Sequence, residues 1–143
     1  MRLLLSAVAL VALSFATPAS AQRPVQQVTR QLDRARATLA GEGYSRDRAY
    51  STASIDEGVE RVWTVQLRRG ADYVMTGACD SDCSDIDFWL YDPNGDLVDS
   101  DTAADDIPVV RVSPGRAGTF RLRVLMASCS VEPCAYGFGV FRQ

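Results

Sequence analysis

The residues able to do chemistry fall into three groups: the cysteine pairs Cys79/Cys83 and Cys129/Cys134, a run of aspartates, and the aromatics Trp89 and Tyr91. Four thiols so spaced can ligate a structural zinc, close as two disulfides, or run thiol–disulfide exchange. Exchange wants a thiol acidified by a cation or a helix N-terminus. Asp80, Asp82 and Asp85 around the first pair push a thiol the other way, so a structural role is expected. The aspartates are dense: the stretch from Asp80 to Asp106 holds ten Asp and not one Arg. Asp85 and Asp87 stand two apart on a strand pattern, so both project from the face that carries Trp89 and Tyr91. Asp80 and Asp82 lie on the adjoining loop. Calcium takes about six to eight oxygen ligands, which makes Asp80, Asp82, Asp85 and Asp87 candidate calcium ligands. The preferred reading of the cluster is a solvated acidic rim. Asp92-Pro93-Asn94-Gly95-Asp96 begins like a calcium loop, but its glycine comes too early and the closing glutamate is missing; it reads as a hairpin turn.

Paired carboxylates can also run glycosidase or aspartic-protease chemistry, which needs a cleft that buries one of them. Nothing in the pattern announces such a cleft. The chain has no His and no Lys; all 15 basic residues are Arg. Without His there is no Ser–His or Cys–His nucleophile pair, and almost no catalytic zinc site can be built. No nucleotide-binding loop, serine-hydrolase elbow or metalloprotease motif is present. The expectation is a protein that is not an enzyme. A formal charge of −3 disfavours nucleic acid and anionic membranes as partners.

The N-terminus decides between zinc and disulfide. Arg2 supplies a positive start, Leu3 to Phe15 is an apolar run too short for a bilayer span, and Ala19-Ser20-Ala21 is a small-x-small cleavage signal. Residues 1–21 are expected to be a signal peptide and the protein to be periplasmic or secreted. In such a compartment the four cysteines oxidise. Three connectivities are open to four cysteines. Local pairing would contribute about 2 kcal/mol per bridge by chain entropy, long crossings about 4. We prefer Cys79–Cys83 and Cys129–Cys134, because each pair lies within one inter-strand loop.

Stepping outward, residues 22–43 read as one amphipathic helix and a linker. Val25, Val28, Leu32, Ala35 and Leu39 recur at helical spacing from Pro24 to Ala40, Pro24 suits the first turn and Gly41 the stop. Its narrow stripe is expected to pack on the chain's own β-domain, residues 44–143. There the patterns are strands and turns only. Trp63, Val65 and Leu67 share a face; so do Ile86, Phe88 and Leu90; so do Phe120, Leu122, Val124 and Met126. Tyr136, Phe138 and Val140 alternate with Gly137 and Gly139, which would let another layer approach closely. About eight short strands with regular turn signals predict an all-β, antiparallel two-sheet sandwich, jelly-roll-like, with one N-terminal helix.

From Trp63 onward, about 80 residues resemble the bacterial pre-peptidase C-terminal domain. The resemblance is carried by Leu67 with Gly70-Ala71-Asp72-Tyr73, and by Ser84 to Gly95 with its Asp-x-Asp-x-x-Leu-Tyr-Asp-x-x-Gly run. Gly118-Thr119-Phe120-Arg121-Leu122-Arg123-Val124 and the closing aromatic strand complete it. The Cys-Asp-x-Asp-Cys loop makes the chain similar, too, to small stand-alone exported proteins of Proteobacteria. The resemblance implies a β-sandwich with a binding or accessory role and no catalytic residues of its own. No peptidase domain precedes the module here, and cysteines are not general in that family. The expected function is a non-catalytic exported binding module for an extracytoplasmic protein or polysaccharide, without a cofactor. The alternative is a calcium-dependent structural or adhesion module. For Trp89 and Tyr91 two readings stand: a surface that engages a peptide or a sugar, or, preferred, a face covered by the N-terminal helix.

Overall fold

The computed structural model describes residues 22–143. The expected signal peptide, residues 1–21, lies outside the described residues. The apolar stripe of the first segment folds as α1 (Gln22–Gly41). The helix stops where expected, but its end is closed by a different glycine. Glu42 N and Tyr44 N both donate to the Leu39 carbonyl at 3.0 Å, and it is Gly43, at φ 91°, that takes the left-handed conformation.

Nine strands follow: β1 (Ser45–Arg46), β2 (Ser51–Ile55), β3 (Glu60–Leu67), β4 (Tyr73–Cys79), β5 (Cys83–Tyr91), β6 (Leu97–Asp101), β7 (Val109–Val112), β8 (Gly118–Cys129) and β9 (Cys134–Arg142). The two-residue β1, exposed at both positions, is too short for alternation to announce it. One sheet runs β9–β4–β7, with β1 and β2 both paired to β9; the other runs β3–β8–β5–β6. All pairs are antiparallel. With β2 as the first strand, the sheet orders 2-9-4-7 and 3-8-5-6 are those of a jelly roll. The fold class expected from the alternation patterns is the one observed.

Inward side chains of both sheets make the main core. Phe88, Leu90, Leu122, Val124 and Met126 come from one layer; Met75, Tyr136, Phe138 and Val140 from the other. Phe138 meets Phe88 and Trp63 edge-on, at 6.4 and 5.5 Å between ring centroids. The chain forms both local disulfides, Cys79–Cys83 and Cys129–Cys134. Each joins the last residue of a strand in one sheet to the first residue of a strand in the other. Because Cys83 pairs with Cys129 across the ladder, both bridges stand side by side at one end of the sandwich. Two disulfides point to an oxidising compartment. Among the described residues, no helix is long and apolar enough to cross a membrane.

The helix packs on its own sandwich, as expected, but on the sheet opposite to Trp89 and Tyr91. Val28 and Leu32 are fully buried against Ala78 of β4 and Ala135 of β9, and Leu39 packs with Val74 and Phe141. The preferred reading, in which α1 covers the Trp89–Tyr91 face, is therefore corrected. The physical reason is access. A Cβ on Gly137 would lie 2.8 Å from the Ser51 carbonyl oxygen and 3.0 Å from Val28 Cγ1, so only a glycine-bearing strand admits the helix so closely.

Candidate functional site

The outer face of the β3–β8–β5–β6 sheet carries no covering layer among the described residues. Strand alternation turns Ile86, Phe88 and Leu90 into the core, so Asp85, Asp87, Trp89 and Tyr91 line the outside, all half-buried. Register then sets their neighbours. Trp89 pairs with Arg123 and Tyr91 with Arg121 on β8; Val62 and Thr64 of β3 continue the same rows. Asp87 pairs with Leu125, which in turn pairs with Glu60. The face is thus polarised along the strands, acidic toward the disulfides and aromatic and basic toward the Asp92–Gly95 turn.

Arg123 organises it. Its guanidinium lies 4.0 Å from the Trp89 ring centroid and 5.9 Å from that of Tyr91, and Nη1 sits 3.8 Å from Glu60 Oε1. Contact over a ring at this range is attractive by about 0.5–2 kcal/mol, more as water is excluded. Arg123 Nε is buried without a hydrogen-bond partner. The Arg123 side chain is still 31% exposed, so a polar group beside the aromatic pair can meet it, though not at the buried Nε. Nothing in the sequence marked Arg123 beyond its outward position, because the pairing with Trp89 depends on the register between two strands far apart in the chain.

The aspartates divide by use. Asp80 is almost fully buried, and its carboxylate accepts from Ala135 N at 2.7 Å and Asp82 N at 3.1 Å, closing the disulfide loop. Asp92 accepts from Asn94 N and Asp96 N in the hairpin turn expected there. Asp99 and Asp101 reach to the other sheet and accept from Arg111 N at 2.7 Å and Val109 N at 2.9 Å. Those amides belong to the edge strand β7, so two carboxylates stand in for the strand that is not there. Asp105 accepts from Ile107 N. Half of the acidic run is therefore committed to backbone N–H groups, a more specific role than a solvated rim. Asp82 is exposed.

Asp85 and Asp87 remain. Burial raises the Asp85 carboxyl above its ordinary range, and the charge of Asp105 adds to this. Asp87 is raised as well, first by burial and then by Asp85, Asp101 and Asp105. Asp85 Oδ1 is buried with no hydrogen-bond partner. Even so, among the described residues no three His, Cys, Asp or Glu side chains converge in a way that could hold a metal ion. The structure brings Asp85 and Asp87 together with Trp89 and Tyr91, and sets Asp80 apart in a loop of its own. What the face can do is bind: stack a flat or apolar group on the aromatics, and accept hydrogen bonds at one end while donating them at the other. No protein-family model and no curated protein matches the chain.

Proposed function

We propose that the protein is a non-catalytic binding or accessory module, exported to the periplasm or the medium, that engages an extracytoplasmic protein or polysaccharide through the outer face of β5 and β8. The observation that carries this reading is the Trp89–Arg123–Tyr91 cluster on the sheet face that α1 leaves open. Aromatic and Arg side chains concentrate binding energy where surfaces meet, and both are set here on rigid strands rather than on loops. The resemblance to pre-peptidase C-terminal modules supports an accessory role over an enzymatic one, as does the absence of His. The test is a screen of exported proteins and cell-envelope polysaccharides, read with the W89A and Y91A variants beside the parent. A partner whose affinity falls at least about tenfold with W89A supports the reading. A partner that binds both variants as tightly as the parent removes this face from the account.

A calcium-dependent structural or adhesion module is the second reading, resting on Asp85 and Asp87, whose carboxyls crowd one another beside an unpartnered oxygen. It ranks second because, among the described residues, no third carboxylate joins the pair closely enough to make a metal-holding group. A melting temperature that rises with added calcium and falls with D85N would reverse the ranking.

A further inference from the structure

On the opposite side of the molecule a groove of about 380 Å³ runs between the C-terminal half of α1 and the outer surface of β4 and β7. It exists because α1 lies over β9 and β4, which leaves the outward side chains of the edge strand β7 without a layer above them among the described residues. Its floor is apolar, formed by Leu39, Val74, Ala78 and Val109. Arg34 stands on the helix wall and Arg111 on the strand wall. Both are exposed, and among the described residues neither makes an ion pair. The helix wall is held in place: Gln31 Nε2 donates to the Cys79 carbonyl at 2.6 Å, and Tyr50 Oη donates to Asp33 Oδ1 at 2.9 Å.

Size and lining are those of a small-molecule site, which is mostly apolar with a few polar groups that set orientation. The polar groups choose the ligand. Two guanidiniums on opposite walls of an apolar groove, in a chain of net charge −3, select an anion with a hydrocarbon body. The planar fork of Arg matches a carboxylate in particular. Arg30 lines the adjoining cleft, which shares Gln31 and Arg34 with the groove and carries Asp80 and Asp106 beside them. The lining holds one acid, Glu42, near the Arg111 end, against the two guanidiniums, so the groove keeps a net positive charge. We infer that the groove binds a small amphiphilic carboxylate, its head between Arg34 and Arg111 and its hydrocarbon on Leu39, Val74 and Val109. This goes beyond the binding face of β5 and β8 and does not depend on it.

Octanoate, octylammonium and octanol serve as probes, titrated into the oxidised protein by calorimetry and followed by backbone amide shifts. Saturable octanoate binding is expected, at least about tenfold tighter than octylammonium, with shifts centred on Leu39, Val74 and Val109. R34Q and R111Q each weaken it about tenfold. T38W, an exposed position on the groove wall, blocks octanoate and octanol alike while the melting curve stays in place. R36Q, outside the groove, and the W89A/Y91A pair leave octanoate binding unchanged. Octylammonium binding as well as octanoate would overturn the inference. So would unaltered octanoate affinity in the R34Q/R111Q double variant, or no heat and no groove shifts with octanoate at all.

Discussion

The two outer faces of the sandwich answer the same geometric problem with opposite chemistry. On the β9–β4 side the outward positions are Val74, Ala78, Ala135, Gly137 and Phe141, small or apolar, and α1 lies directly on them. On the β8–β5 side they are mostly charged or aromatic, Arg121, Arg123, Leu125, Asp85, Asp87, Trp89 and Tyr91, and among the described residues nothing lies on them. A covering helix buries apolar area and needs the backbone to come close; charged neighbours would have to lose their water for it, at a cost that burial does not return. Which sheet a single helix can cover is therefore decided by strand residues rather than by the helix. On the uncovered face Arg123 is engaged laterally, over Trp89 and toward Glu60.

Breaking the covered face should have the largest effect. Leu32 is fully buried beneath the helix, so L32A is expected to cost about 2–5 kcal/mol, read by urea denaturation. W89A on the open face should cost about 0.5–2 kcal/mol, the value of the cation–π contact and little more. Equal losses would show that the open face contributes to the core as much as the covered one does. G137V tests the close approach itself. Its Cβ meets the Ser51 carbonyl and Val28 at or within 3.0 Å, so backbone and helix must shift, for about 1–3 kcal/mol. The loss should be accompanied by faster amide exchange along α1, whereas the β5–β8 ladder stays protected.

Much of this contrast is already written in the strands. Alternation in β3, β5, β8 and β9 named the core faces correctly, and Gly137 and Gly139 marked the face that another layer approaches. The other half of the signal is in β4, where Tyr73 and Met75 face the core and Val74, Thr76 and Ala78 on the opposite face are buried too. A strand apolar on both faces is a strand with a layer on each side. The acidic run is a different case. Asp80, Asp92, Asp101 and Asp105 each accept from the amide two residues on, a local turn habit of aspartate that spacing alone discloses. The reach of Asp99 and Asp101 to the amides of β7 is long-range, set by how two sheets meet at an edge, and no local signal carries it. Arg123 on Trp89 is hidden for the same reason.

The Arg123–Trp89 contact sharpens the comparison at a smaller scale. A double-mutant cycle with R123M and W89L should give a coupling of about 0.5–2 kcal/mol. Little of it should be lost in 1 M salt, since the guanidinium is half-buried and the indole carries no charge. The equivalent cycle between Arg123 and Glu60, 3.8 Å apart and more exposed, should give less and should vanish in salt.

The smallest effect is the most diagnostic of what the open face is for. Asp87 holds its proton more readily in the folded chain than in the unfolded one, because burial and then Asp85, Asp101 and Asp105 disfavour its charge. Above its ordinary value of 3.8 the native state therefore binds more protons than the unfolded state, and stability falls as pH rises through that window. D87N removes the cost. It should be more stable than the parent at pH 7 by about 0.5 kcal/mol, allowing for solvent screening of a half-exposed row, and the gain should shrink toward nothing as pH drops below the ordinary carboxyl range. Thermal melts across pH, with and without a chelator, check both. If the gain persists in acid, packing rather than charge is its source. If D87N is instead the less stable protein at neutral pH, and only without chelator, the carboxylate is holding a cation, and the acidic end of this face is a ligand site in its own right.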